Sequence, residues 1–306
     1  MRRFYTSENG FIEKVNWEPE CWINIECPDK EDFRYLSEEL CVPRSFLDSA
    51  SDEDERPRFD HEDGWLLTIL RIPTRIDVHP AYYGTLTFAV ITKDDLLITI
   101  SKHHTEMLGS FIEHTQRKHI VDIKKPDFLL HLIDSATFWY LKYLKEINDR
   151  VSSSFSDFNR RLSNNNLYEM LQMQKSLVYF NTSLRGNSTL VDRIDKMFVD
   201  SCDPDLLDDV QIEIAQAQNT ANVYMEILAS VMDTLDSVIS NNVNEIMKKM
   251  TSVSIILMLP TLIASFYGMN VAVAFGASPH AFWGIVAASL GLAVVIYIIL
   301  RRARWI

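Results

Sequence analysis

The chain has 306 residues, enough for one large domain or two ordinary ones, with 30 Lys+Arg against 42 Asp+Glu and a formal charge of −12. No carboxylate lies beyond Glu245, and the only cations there are Lys248, Lys249, Arg301, Arg302 and Arg304, so 25 basic and 42 acidic side chains give everything before that point a formal −17. Such an excess argues against nucleic acid as a partner and fits solubility or attraction of cations, and no catalytic constellation or glycine-rich phosphate loop points to an enzyme.

Residues 1–125 read as a mixed α/β domain. Strands are expected at 22–26, 58–61, 65–72, 83–91 and 96–101, rich in Ile, Leu, Phe and Thr with turn residues between. Helices are expected at 29–41, opened by Pro28-Asp29, and at 106–116. His103-His104 with Glu106 has metal-ligand chemistry, but a solvated loop is the simpler reading. Cys21, Cys27, Cys41 and Cys202 lack metal-ligand spacing and fit reduced thiols in a cytosolic compartment. The start, Met1-Arg2-Arg3-Phe4, lacks the apolar run of a signal peptide.

From Pro126 the pattern turns helical: 126–204 reads as a cytosolic pair of long helices, 128–162 and 167–198, separated by Ser163-Asn164-Asn165-Asn166. A third helix begins near Asp205 and meets no breaker before Pro260, so a stalk over 205–249 is expected to continue to about Phe266. At 1.5 Å per residue that is a rod on the order of 90 Å, which must pack along others to persist. Ala217, Ala221, Tyr224, Leu228, Val231, Leu235 and Val238 alternate in spacings of four and three, an apolar coiled-coil-like seam. A second face is polar: Glu226, Ser230, Asp233, Ser237, Ser240 and Asn244. It faces either bulk solvent or the wet axis of a ring of helices, with Asp233 lining the funnel of such a ring.

Residues 250–269 and 281–300 are two uncharged runs, each long enough to cross a roughly 30 Å hydrocarbon layer as a helix. Lys248 and Lys249 precede the first, the arginines of the tail 301–306 follow the second, and the connection 270–280 has no Lys or Arg. The positive-inside rule then puts both ends in the cytosol and the loop outside. The polar stripe carries on in register through Met247, Thr251, Ser254, Met258, Thr261 and Ser265, while large hydrocarbons and Ser252 occupy the other positions. Small hydroxyl residues also let membrane helices pack closely. Continuity with the polar stripe upstream favours a pore lining, suited to a hydrated ion because no charge is present to replace stripped water. Met258 would be an apolar constriction that gates by dewetting.

At the end of the first run stands Tyr267-Gly268-Met269-Asn270, which resembles the signature of the CorA family of Mg²⁺ transport proteins. Asn244-Glu245-Ile246-Met247-Lys248, Pro260, and Asp54-Glu55-Arg56-Pro57-Arg58 followed by 65–71 extend the likeness over nearly the whole chain. The resemblance implies a CorA-like funnel: an α+β cytosolic domain with long stalk helices and a C-terminal two-helix transmembrane hairpin, assembled as a homopentamer in the cytoplasmic membrane. It implies a selectivity filter at Gly268, Met269 and Asn270, with the Asn270 amides ringing a hydrated Mg²⁺, and pore positions at Asn244, Met250, Thr251, Met258 and Thr261. Regulatory divalent sites between cytosolic domains would use Asp209 and Asp208, with partners among Asp48, Asp52 and Asp54, and their occupancy would hold the ring closed. Asp209 read alone is equally a solvated acid near a helix start.

Two departures stand out. The family's acidic loop after the signature is here 271–280, without a carboxylate, and its glycine one turn before the signature is Ser265. Mg²⁺ is the leading ion; Co²⁺, Ni²⁺ or Zn²⁺ is the alternative, since the related ZntB group moves Zn²⁺ with much the same motif, and His280 is the one feature favouring a softer ion. A non-conducting membrane scaffold or sensor is the alternative of a different class.

Overall fold

A computed structural model of the chain describes residues 2–7, 10–76, 82–118, 125–158, 164–198, 202–269, 280–303 and 305. It divides into two units, Met1–Ala229 and Ser230–Ile306.

In the first unit seven strands form one sheet: β1 (Arg2–Ser7), β2 (Phe11–Lys14), β3 (Trp22–Glu26), β4 (Arg58–Glu62), β5 (Trp65–Ile76), β6 (Tyr82–Lys93) and β7 (Leu96–Ser101), in the order β2-β1-β3-β7-β6-β5-β4. Only β3 and β7 run parallel; every other pair is antiparallel. Period-two alternation sorts β3 cleanly. Ile23 and Ile25 join Leu67, Ile69, Ala89, Ile91, Ile98 and Ile100 on one face, covered by Leu36, Phe46 and Leu47. Trp22 and Asn24 turn the other way, where Trp22 Nε1 donates to Thr99 Oγ1 at 2.8 Å and Thr99 donates to Asn24 Oδ1 at 2.8 Å.

Two helical layers follow from this. On the aliphatic face lie α1 (Lys30–Arg34), a π-helical turn (Tyr35–Glu39) and α2 (Arg44–Ser51). The expected single helix 29–41 is thus divided. Asp29 caps it as predicted, accepting from the amides of Glu31 and Asp32 at 2.8 Å each, but the turn loosens at Tyr35. On the aromatic face lie α3 (Glu106–Arg117), α4 (Lys125–Phe158) and α5 (Asn164–Met197). Phe11, Trp22, Phe111 and Phe128 meet there edge to face, and Tyr140 and Tyr143 of α4 pack on Phe180 of α5. Asn187 of α5 closes a two-way bond with the Arg71 backbone, donating to its carbonyl at 2.7 Å and accepting from its amide at 3.0 Å.

Strands β1 and β2 and helix α2 were not expected from the sequence. Gly10, between β1 and β2, has φ +85°, and a Cβ there would lie 2.4 Å from the Cα of Gln116 on α3. We expect Gly10→Ala to destabilise the first unit by about 2–4 kcal/mol, through left-handed strain plus a backbone clash. Chemical denaturation of the full chain in detergent, beside the parent, checks this, and an unchanged midpoint would contradict it.

Helix α6 (Pro204–Tyr267) contributes residues 204–229 to the first unit and 230–267 to the second. Its seam behaves as its spacing predicts. In the first unit Ala217, Ala221 and Leu228 are buried, and α5 meets this stretch through Gln218 Nε2 donating to the Leu184 carbonyl at 3.1 Å and Asn181 donating to Asn222 at 2.9 Å. In the second unit Leu235 is buried and Val231 and Val238 are half-buried. The second unit also holds α7 (Ala281–Arg302). Both helices contain stretches long and apolar enough to cross a membrane, and only 6% of each apolar window is buried within the chain. That exposure suits lipid rather than a soluble core.

Candidate functional site

The stripe residues of α6 in the second unit share an exposed face. Ser230, Asp233, Ser237, Ser240, Asn244, Met247, Met250, Thr251, Ser254, Met258, Thr261 and Ser265 are all exposed. The opposite side is the covered one: Ser252 is fully buried, and Ile255, Ile256, Leu259, Pro260 and Ile263 are half-buried. On α7 the matching face carries Ser289, buried, with Ala293, Ile296 and Leu300 half-buried at helical spacing. Within the uncharged run from Thr251 to Phe266, Ser252 is the one polar residue off the stripe, and it is turned inward. Among the described residues its Oγ has no hydrogen-bond partner.

Side-chain bonds along the stripe are local. Ser237 Oγ donates to the Asp233 carbonyl at 3.0 Å, Ser254 Oγ to the Met250 carbonyl at 2.9 Å, and Thr261 Oγ1 to the Leu257 carbonyl at 2.8 Å. Asn244, Met247 and Thr251 share one concavity of about 510 Å³ with Asn241, Lys248 and Trp305. Beside it Lys249 Nζ donates to Glu245 Oε1 at 2.7 Å, and this bond holds the Glu245 carboxyl below its usual range. The end of α6 is finished by the Gly268 amide donating to the Ala264 carbonyl at 3.0 Å and the Met269 amide to the Phe266 carbonyl at 3.4 Å. Both residues are exposed; Asn270 and the rest of the loop to 279 lie outside the described residues.

In the first unit Asp208 and Asp209 are exposed on α6, past a first turn that opens with Pro204 and is capped by Asp203 Oδ1 accepting from the Asp205 amide at 3.0 Å. Asp48 is exposed on α2, and Asp52 at its end accepts the Asp54 amide at 2.9 Å. Among the described residues no three His, Cys, Asp or Glu side chains converge as metal ligands within one chain. His103 and His104 have protein partners instead: Glu53 at 3.4 Å and Glu26 at 3.0 Å.

One feature escapes sequence reasoning. A cleft of about 420 Å³ between α3, α4 and α6 is lined by His114, His131, Asp134 and Glu213, with Glu113 and Arg117 at its edge. Burial pushes the Asp134 carboxyl above its usual range, the charges of Glu213 and Asp209 push the same way, and His114 and Lys118 oppose them. Burial also lowers His131. The Asp134 carboxyl thus feels the charges of Glu213 and Asp209, though nothing in the spacing of the three residues signals it.

The family model of CorA-like Mg²⁺ transporter proteins matches residues 18–302. Two curated relatives, each named a cobalt/magnesium transport protein CorA, align over most of both lengths. The relative from Methanocaldococcus jannaschii is 26% identical over 292 residues, 93% of this chain and 91% of its own. The relative from Thermotoga maritima is 22% identical over 300 residues, 93% of this chain and 83% of its own. Among solved structures, the complete CorA magnesium transporter of M. jannaschii superposes with a TM-score of 0.83 at 23% identity, covering 100% of this chain and 99% of that one. That likeness carries the fold: a sheet domain, long helices and two apolar helices at the C-terminus.

Proposed function

Because the chain belongs to the CorA-like Mg²⁺ transporter protein family, we propose that it carries divalent cations, Mg²⁺ first, across the cytoplasmic membrane as a homopentamer. Copies of α6 surround the ion path, and α7 forms the outer wall. The observation that carries this reading is the uninterrupted exposed stripe from Ser230 to Ser265, on a helix that ends at Tyr267, where the sequence Tyr267-Gly268-Met269-Asn270 begins. Hydroxyls alone could also serve close helix packing, but a stripe that stays in register from the polar stalk into the hydrocarbon run is what a helix beside a water-filled axis needs.

Mg²⁺ dehydrates reluctantly, so a lining of amides and hydroxyls that holds the ion with its waters suits it better than a bare-ion cage. Gly268, Met269 and Asn270 form the outer filter, the Asn270 amides meeting the hydrated ion, and Met258 narrows the path. Both chain ends lie in the cytosol, with 1–249 inside, 250–269 and 281–300 spanning, 270–280 outside and 301–306 returning inside. Cytosolic divalent ions close the path by binding at Asp209 and Asp208. Glu213, one turn along α6 from Asp209, lines a cleft with Asp134, so further carboxylates lie near this location. The relatives, both named cobalt/magnesium transport proteins, favour Co²⁺ as a second cargo.

Flux in reconstituted vesicles tests the reading directly. Mg²⁺ and Co²⁺ entry should exceed that of protein-free vesicles at least ~10-fold, with Ni²⁺ and Zn²⁺ run alongside. A well-assembled protein that moves none of the four would be a scaffold or sensor. Zn²⁺ entry without Mg²⁺ entry would place the chain functionally with the Zn²⁺ carriers.

A further inference from the structure

From Thr251 to Tyr267 no Asp, Glu, Lys or Arg occurs, and 271–280 contains no carboxylate. An ion path built on this segment must tell cation from anion without a formal charge. Two hydroxyls on its exposed stripe have their hydrogens fixed. Ser254 Oγ is 2.9 Å from the Met250 carbonyl oxygen, and Thr261 Oγ1 is 2.8 Å from that of Leu257. A carbonyl oxygen has no hydrogen to give, so the hydroxyl is the donor in both bonds. Each hydroxyl oxygen is left with lone pairs alone. Such backbone-directed bonds are common for Ser and Thr in helices; their consequence depends on what the oxygen faces.

We infer that Ser254 and Thr261 are specificity-determining residues that favour cations over anions by hydrogen-bond polarity. The inference rests on α6 lining the ion path. Water around a cation turns its oxygen inward and its hydrogens outward, and those hydrogens find acceptors at Ser254 Oγ and Thr261 Oγ1. Water around an anion is reversed: its outward oxygens need donors. The two hydroxyls can donate to them only by leaving the Met250 and Leu257 carbonyls. Between the two sits Met258, 68% exposed, whose thioether accepts weakly and donates nothing. The two hydroxyl bands are about 10 Å apart along the axis, so a hydrated ion meets them in succession.

The test uses the full chain in vesicles under a MgCl₂ gradient. Thr261→Val and Ser254→Ala remove the oxygens with little change of shape. The reversal potential of the double variant should show the chloride-to-magnesium permeability ratio raised by about ten-fold. Thr261→Ser and Ser254→Thr, which keep the back-bonded oxygen, should retain the parent ratio. In parallel, Ser254→Cys and Thr261→Cys are treated with a charged thiol reagent, labelling being scored above that of the parent chain. Labelling with a raised ratio supports the inference. Labelling with an unchanged ratio, or with loss of all conductance in an assembled protein, overturns it and leaves the path intact. Absence of labelling at both positions overturns the inference together with the path itself.

Discussion

Replacing Asn270 by Ala should abolish Mg²⁺ uptake while leaving the assembled protein intact. The segment that follows it, 271–280, contains no carboxylate to concentrate cations. On the proposed path, the amide of Asn270 would therefore be the last strongly polar side chain that an entering hydrated ion meets before the stripe. A hydrogen bond of this kind contributes about 1 kcal/mol. In the proposed homopentamer a ring would repeat it in every copy, so five copies would forfeit about 5 kcal/mol, beyond a thousand-fold in occupancy. Asn270→Asp separates dipole from charge: it keeps an acceptor and adds the negative charge that the loop lacks, so uptake should persist with weaker preference for a hydrated divalent ion. Uptake into vesicles, measured beside oligomer size by light scattering, checks both variants. Parent-level Mg²⁺ entry by Asn270→Ala would remove Asn270 from the filter.

How far the sequence reaches depends on whether the signal is local. The strands β3 and β7 appear at their expected residues because alternation is a property of five or six consecutive side chains. Helices α4, α5 and α6 are likewise legible, since a long helical period survives imperfect caps; the asparagine run that reads as a break is instead the first turn of α5, which begins at Asn164. The stripe could be read because one helix carries it, and its residues are exposed while Ser252 is buried, as the register demands. Strands β1 and β2 lack such a signal. Arg2–Ser7 has two arginines and no clear alternation, and its strand identity comes from pairing with both β2 and β3. The π-helical turn at Tyr35–Glu39 is equally invisible, because a one-residue change of hydrogen-bond partner leaves composition untouched.

The cleft around Asp134 shows the limit most sharply. His114 belongs to α3, His131 and Asp134 to α4, and Glu213 to α6, so only tertiary packing brings them together. Along the chain each looks like a charge on an amphipathic helix, and that is what most such charges are. The partners expected for Asp209 across a subunit boundary are Asp48, Asp52 and Asp54, at and just after α2; within one chain the carboxylate that registers the charge of Asp209 is Asp134.

That relation sets the second large effect. Asp209→Lys should raise the cytosolic Mg²⁺ concentration needed to stop uptake by at least about ten-fold. A carboxylate lost from a divalent ion removes upwards of about 1.4 kcal/mol even at a partly solvated site, and the ammonium put in its place repels the ion as well. Asp134 provides the internal comparison. If Asp134, Glu213 and Asp209 act on one ion, then Asp134→Asn should shift inhibition in the same direction, and the double variant should shift it by less than the sum of the two. Additive shifts would instead mean separate sites. The measurement is uptake into vesicles preloaded with graded Mg²⁺, with uptake at zero internal Mg²⁺ as the reference for conduction itself. Since Asp209 is exposed, its replacement leaves the packing of the first unit undisturbed, and the thermal midpoint should stay within a few degrees of the parent. Inhibition unchanged in both single variants would move the sensor away from α6 altogether, leaving the acidic face as a means of gathering cations rather than of reading their concentration.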